Sequence, residues 1–293
     1  MRNHLRNKEG NMEDVSPKCV GNATPQLSPT SVGDTASNLS PKVWGRHRGG
    51  CFSPPNFRLW LCLLAAMTVP MAGSLFYFVI LAGTPPGNVV FLFTKLFLVF
   101  WPLAAIALTT GFHRTGPAFN RQKHFRALPL GALSGLLIAG AMILLYRFTP
   151  LGDYVRFHAV EVRAKVEEIG ILDRYILFAI LVSMIHSFLE EYYWRWFVFG
   201  SLDRLVSPLA AYFLANLAFA AHHYVILGCY FSFWGAFFFG TCVGLGGALW
   251  CRMYRTQDSL AGIWLSHTLA DLAIFTIGYD LIFRQVPLPI AQG

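Results

Sequence analysis

The 293-residue chain is 55% apolar and only 13% charged, with a mean hydropathy of +0.49. A soluble domain carries about 25% charged residues, so about half of the usual solubilising charge is missing. This composition excludes an ordinary soluble globule and indicates a polytopic membrane protein. Although the net charge is +8, the basic residues lie mainly in the N-terminal tail and in short loops between apolar blocks, so we predict no nucleic-acid partner.

Residues 1–58 are rich in Ser, Pro, Asn, Thr and Gly. Such a segment cannot bury enough surface to offset the entropy of folding, which predicts a disordered polar tail. Beyond it we predict an all-α fold, a polytopic membrane helical bundle of seven to eight transmembrane helices over 59–280, and a short C-terminal tail at 281–293. The candidate spans are apolar blocks at about 59–82, 89–109, 127–147, 172–199, 207–223, 231–250 and 259–279.

Between the third and fourth blocks, segment 153–170 has apolar residues at steps of four and three, with charged residues between them. This pattern predicts one amphipathic helix, lying either at the membrane interface or against the bundle. Two pairs of opposite charge at i,i+4, Glu161/Lys165 and Arg163/Glu167, would stabilise it.

Some unusual residues within the spans have structural explanations. Gly131/Gly135 and Gly240/Gly244 are spaced as small-xxx-small pairs, which predicts close approach of helices. Lys95 lies inside the second block, and we expect its long side chain to carry the ammonium to the interface.

The distribution of Lys and Arg predicts the orientation of the bundle. With a cytoplasmic N-terminus, 15 of the 23 basic residues fall on the cytoplasmic side and six on the other. Because cytoplasmic loops carry the excess of Lys and Arg, we predict an integral, multi-pass protein with a cytoplasmic N-terminus. A bacterial cell membrane and the eukaryotic endoplasmic reticulum both fit.

Three of the blocks contain clusters of ionisable residues, which are costly inside a membrane and therefore indicate function. The fourth block contains His186, Glu190, Glu191 and Arg195. Glu191 and Arg195 share one helix face at i,i+4, and His186 and Glu190 share a neighbouring face. Two adjacent carboxylates cannot both ionise cheaply in a low dielectric, so we expect Arg195 to neutralise one while the other serves as acid or base.

The fifth block ends in Asn216, Phe219, His222 and His223. Asn216, Phe219 and His223 form one helical stripe, whereas His222 is rotated from it by about 100°. We therefore expect His223 to contribute to a shared polar site. Two histidines at a helix end are also compatible with a purely interfacial position.

The seventh block contains Ser266, His267 and Asp271. His267 and Asp271 are i,i+4 neighbours that can point to one place in the bundle interior. They could also form a self-satisfied polar pair. Three clusters at similar depth favour a shared site.

The combined motifs resemble those of a known protease family. Glu190-Glu191-xxx-Arg195, Phe219-xxx-His223 and His267-xxx-Asp271, in this order on successive apolar segments, are similar to the CAAX prenyl protease and bacteriocin-processing family (CPBP, also called Abi). The resemblance covers about residues 172–275. It implies a glutamic intramembrane endopeptidase that hydrolyses a membrane-associated or lipidated protein or peptide, with a hydrophilic cavity opening toward the membrane–cytosol boundary.

The resemblance also implies a role for each motif residue. Glu190 corresponds to the catalytic glutamate and His223 to its partner in activating water. His267 and Asp271 correspond to the groups that stabilise the oxyanion, although family members commonly have Asn in place of Asp271. The supporting residues would be Glu191, Arg195, His186, Asn216, Phe219 and His222.

Other functions stay open at this point. No cofactor is expected, but Glu190, His223 and His267 could hold zinc, so a zinc-dependent membrane protease is the lesser alternative. A non-catalytic protein for bacteriocin self-immunity or scaffolding is another, although buried charges favour the enzyme. A proton-coupled transporter would need inverted repeats, which are not apparent. The expected partners are the bilayer and a membrane-associated substrate, a prenylated protein being one option.

Overall fold

A computed structural model describes residues 54–109 and 121–285. These residues form nine helices without a strand, and seven of the helices are long and apolar enough to cross a membrane. The predicted polytopic all-α bundle is therefore confirmed. Most of the tail predicted at 1–58 lies outside the described residues, as does the chain beyond residue 285.

The seven long helices correspond one by one to the apolar blocks. Their bounds are α1 Pro54–Leu75 with a π-helical extension Phe76–Ile80, α2 Pro85–Thr109, α3 Arg121–Phe148, α6 Leu172–Leu205, α7 Pro208–Leu227, α8 Phe233–Gln257, and α9 Leu260–Asp280 with a π-helical extension Leu281–Gln285. The extension of α9 enters the segment predicted as a tail because Leu281 and Ile282 are buried against the bundle.

Serine caps define where the last three helices begin. Ser207, Ser232 and Ser259 each precede α7, α8 or α9, and each hydroxyl accepts a hydrogen bond from a backbone N–H in the first turn. Such caps satisfy one of the N–H groups that a helix start leaves without a partner. Pro208 at the first position of α7 further favours that start.

Segment 153–170 forms two helices rather than the single predicted one. Helix α4 spans Pro150–Phe157 and helix α5 spans Ala159–Ile169, with a break at His158 (φ −96°, ψ 18°). Of the predicted charge pairs, Arg163 does meet Glu167, with 2.7 Å between Nε and Oε1.

Helix α5 lies against the bundle. The side chain of Arg163 is buried and donates a hydrogen bond of 3.1 Å to the carbonyl oxygen of Ile282. The other predicted charge pair, Glu161 with Lys165, is replaced, since Lys165 pairs with Glu168 at i,i+3. The contact between Arg163 and α9 makes the short helix part of the packed structure.

Glycines bring α3 and α9 into close contact. A Cβ atom at Gly131 would collide with the backbone of Gly262, and one at Gly135 would collide with Leu269 and the backbone of Ser266. The small-residue spacing on α3 thus has the predicted packing role. On α8, a Cβ at Gly240 would collide with the ring of Tyr224.

Helix α6 departs from regular α geometry in its centre. Two π-helical segments, Val182–His186 and Glu191–Phe199, flank a short α-helical turn, Ser187–Glu190. A π turn widens the helix, and such insertions are frequent at functional sites. The irregular centre carries the polar cluster of this helix.

Consecutive long helices run in opposite directions, which gives the bundle two distinct ends. We call the end where α1 begins the near end and the end where its π extension finishes the far end. Cys229, which follows α7, lies at the far end, with its Sγ 3.9 Å from the carbonyl oxygen of Phe78. Helix α4 is also there, because Tyr154 hydrogen-bonds Ser232 just before α8.

Candidate active site

A cavity of about 190 Å³ opens between α1, α2, α6 and α7. Its lining includes Pro70 and Phe78 from the last part of α1 and Ile226 from the end of α7. The cavity therefore lies in the far half of the bundle. Its acidic and basic lining residues are Lys95, His186, Glu190, His222 and His223.

Glu190 lies at the meeting point of three imidazoles. Its Oε1 is 3.3 Å from Nε2 of His186 and 3.5 Å from Nε2 of His222. Its Oε2 is 3.7 Å from Nε2 of His267. These distances exceed the ordinary 2.7–3.2 Å of a hydrogen bond. The carboxylate is thus surrounded by groups that can donate or accept protons without being held tightly by one of them.

The orientation of His223 follows from its own helix. Its Nδ1–H donates a hydrogen bond of 2.9 Å to the carbonyl oxygen of Phe219, since a carbonyl can only accept. This bond leaves Nε2 as the nitrogen that can take up a proton. His222 and His223 are close neighbours, with ring centroids 4.0 Å apart.

Both histidines of α7 lie at the site. Ligand atoms of Glu190, His222 and His223 lie within 4.8 Å of one another. His222 stacks parallel to Trp194, which holds its ring in place. Both rings therefore lie near the same carboxylate, although adjacent helix positions differ by about 100°.

Glu191 forms a second, deeper layer. It is fully buried, accepts a 2.7 Å hydrogen bond from Nδ1–H of His267, and lies 3.1 Å from Nη1 of Arg195. The predicted i,i+4 pair of Glu191 and Arg195 is thus present. The bond that His267 donates to Glu191 leaves its Nε2 directed toward Glu190 and toward Asp271, whose Oδ1 is 3.5 Å away. His267 therefore links the two glutamates.

Arg195 is enclosed by aromatic rings. Its guanidinium lies 4.1 Å from the ring centroid of Phe219 and 5.0 Å from that of Trp250. Such cation–π contacts stabilise a buried cation. Phe219 is therefore a packing partner of the charge cluster. Asn216 lies beside it, and its amide donates a hydrogen bond to the carbonyl oxygen of Tyr212.

Trp250 and two serines hold His267 in position, and the sequence motifs did not indicate Trp250 or Ser134. The Trp250 ring stacks on His267 with centroids 4.1 Å apart. Its Nε1–H donates to Ser266 Oγ at 3.0 Å, and Ser134 Oγ donates to the same oxygen at 3.0 Å. These residues lie on α3, α8 and α9, so no local spacing connects them.

The structure also shows surroundings of Lys95 that the sequence did not predict. Lys95 lines the cavity together with Glu190, and its ammonium lies 5.3 Å from the ring centroid of Phe91. The position of α2 against α6 brings it there, and this packing cannot be read from the second apolar block.

Fold and site together define an integral, multi-pass membrane protein with a Glu/His cluster beside an internal cavity. Residues 173–273 match the family model described as Type II CAAX prenyl endopeptidase Rce1-like. This part of the chain is thus similar to the family, and the resemblance seen in the motifs is confirmed. No curated protein and no solved structure matches the chain.

Proposed function

We propose that the protein is an endopeptidase that hydrolyses a peptide bond of a membrane-associated or lipidated substrate, using water activated by Glu190 and His223. The observation that carries the proposal is a buried carboxylate, Glu190, among imidazoles on the wall of a cavity. Peptide hydrolysis needs a base for water, a donor for the oxyanion and an acid for the leaving amine. This cluster offers all three.

The reaction would proceed by direct attack of water. Glu190 and Nε2 of His223 take a proton from water as its oxygen bonds to the carbonyl carbon of the substrate. His267 in its protonated form donates to the resulting oxyanion, and Glu191 and Asp271 stabilise its positive charge. When the tetrahedral intermediate collapses, the C–N bond breaks and the proton held by Glu190 or His223 passes to the leaving nitrogen. The products are a new carboxylate and a new amine.

Replacement of the proposed base tests this mechanism. Glu190→Gln and His223→Ala should each lower cleavage of a farnesylated peptide ending in Cys-Val-Ile-Ser by about 10²–10⁴-fold, the usual contribution of general acid–base catalysis. Glu161→Gln, an exposed change on α5, serves as the control and should retain activity. Product formation is measured by mass spectrometry with purified protein in lipid. Full activity of Glu190→Gln would refute the mechanism.

A zinc-dependent protease is the second candidate, because Glu190, His222 and His223 present ligand atoms within 4.8 Å of one another. This set differs from the sequence-based one, in which His267 stood in place of His222. Carboxylate and imidazole ligands suit zinc. The metal-free mechanism predicts activity that survives strong chelation and no stoichiometric zinc by elemental analysis. Loss of activity on chelation, restored by added zinc, would favour the metalloprotease.

The scaffold or self-immunity alternative makes its own prediction. A non-catalytic protein would leave the same protein termini in cells that carry the wild type and in cells that carry Glu190→Gln. The proposed protease predicts that some membrane-proximal termini differ in length between the two. Comparative mass spectrometry of protein termini separates these outcomes and would also identify natural substrates.

A further inference from the structure

Lys95 is a cation placed inside an otherwise apolar membrane span. It lies ten residues after Pro85, the start of α2, which is about 15 Å along the helix axis at 1.5 Å per residue. Charged side chains at such depth are rare and usually mark functional sites. The half-buried side chain of Lys95 lines the same cavity as Glu190.

Nothing within the described part of the chain pairs with this ammonium at short range. Lys95 makes no hydrogen bond or ion pair with another described residue, and its neighbour is the face of Phe91 at 5.3 Å. Glu190 is near enough to attract it electrostatically, but imidazoles already surround that carboxylate. The ammonium is therefore available to an anionic group that enters the cavity.

We propose that Lys95 binds the C-terminal carboxylate of a peptide substrate and thereby places the scissile bond beside Glu190. The inference rests on the proposed function. A single ammonium suits a single carboxylate, whereas phosphate groups are commonly held by several donors or by the planar fork of Arg. Apolar residues that line the cavity, such as Tyr77, Phe91 and Leu98, can hold the side chains between the carboxylate and the cleaved bond.

The same contact would restrict the substrates. A peptide with its C-terminus a few residues beyond the scissile bond can satisfy Lys95, whereas a bond in the middle of a long chain brings no carboxylate into the cavity. The chain would then remove short C-terminal segments. A role of Lys95 as a counter-ion of Glu190 makes no such distinction, because it would affect all substrates alike.

Binding of matched peptides tests the proposal. The full-length Glu190→Gln variant in phosphatidylcholine nanodiscs is titrated with two fluorescent farnesylated peptides ending in Cys-Val-Ile-Ser, one with a free carboxylate and one with a carboxamide. We expect the acid to bind at least about tenfold more tightly, as for a hydrogen bond to a charged group. Adding Lys95→Met should reduce binding of the acid to that of the amide, and Lys95→Arg should preserve much of the preference. Lys165→Met on α5 is the control and should change neither affinity.

Several outcomes would overturn the assignment. Equal affinity for the two peptides, binding of neither, or equal weakening of both by Lys95→Met would each do so. Loss of the acid preference when phosphatidylglycerol is added would show that Lys95 takes a lipid phosphate instead. Cleavage by the wild type is measured separately. If the acid binds more tightly because of Lys95 but no cleavage occurs, the proposed function is rejected and the carboxylate site at Lys95 is retained. If cleavage occurs without a preference for the acid, the proposed function is retained and the carboxylate site is rejected.

Discussion

At the scale of single residues, the buried ion pair between Glu191 and Arg195 stabilises the site. Glu191 is fully buried, and Arg195 is 1% exposed. Removing one partner of such a pair leaves an uncompensated charge, which typically costs about 3–5 kcal/mol. Glu191 also accepts the hydrogen bond from His267 Nδ1–H, so the pair supports the position of that imidazole.

Arg195→Met should therefore destabilise the protein strongly, by about 3–5 kcal/mol. Arg255→Met, which removes a partly exposed ion pair with Asp203, should cost at most about 1 kcal/mol. Chemical denaturation in detergent, followed by tryptophan fluorescence, compares the two variants. The double variant Glu191→Gln/Arg195→Met should lose less than the sum of the single changes, because no unpaired charge remains. Equal losses for Arg195→Met and Arg255→Met would contradict this interpretation.

The sequence predicts contacts within one helix better than contacts between helices. The pair of Glu191 with Arg195 and the proximity of His267 to Asp271 follow from i,i+4 spacing alone. The contact of His222 with Glu190 and the position of Lys95 in the cavity depend on how α2, α6 and α7 pack. Helical periodicity carries no information on such packing.

At the scale of helices, the sequence also predicts the long helices better than their local irregularities. The length of the apolar blocks predicts all seven long helices, since burial in lipid imposes length and composition. It predicts neither the π-helical segments of α6 nor the break at His158 between α4 and α5. Contacts between distant parts of the sequence, such as that of Arg163 in α5 with Ile282, are likewise absent from the apolar pattern.

The contact between α3 and α9 can be tested with two glycines of one helix. Gly131→Ala places a methyl group against the backbone of Gly262, so it should destabilise the bundle by about 1–3 kcal/mol. Gly140→Ala meets no atom within 4 Å and should be neutral or slightly stabilising, because alanine favours the helix. Thermal unfolding of the purified variants measures both. If the two variants were equally stable, the close packing of α3 on α9 would not contribute to stability.

At the scale of the whole molecule, the site's position restricts the topology. The cavity lies in the far half of the bundle, away from the start of α1. A cytoplasmic N-terminus, which the Lys and Arg distribution predicts, would therefore place the cavity in the non-cytoplasmic half of the membrane. The family resemblance instead implies a cavity that faces the cytosol. The two expectations exclude each other, so orientation decides from which side the substrate arrives.

Labelling of two cysteines with a membrane-impermeant maleimide resolves this point. The other cysteines are first replaced, so that only Cys19, which precedes α1, and Cys229, at the far end, can react. The two should be labelled from opposite sides of the membrane. If the charge distribution determines the orientation, Cys19 is labelled from the cytoplasm. Burial raises the pKa of the Cys229 thiol, so less thiolate is present at neutral pH. Its labelling should accelerate by about tenfold per pH unit up to that pKa, because the thiolate is the nucleophile. Cytoplasmic labelling of Cys229 would instead place the cavity on the side from which cytosolic prenylated proteins could enter. Labelling of both cysteines from one side would contradict the helix order of the bundle.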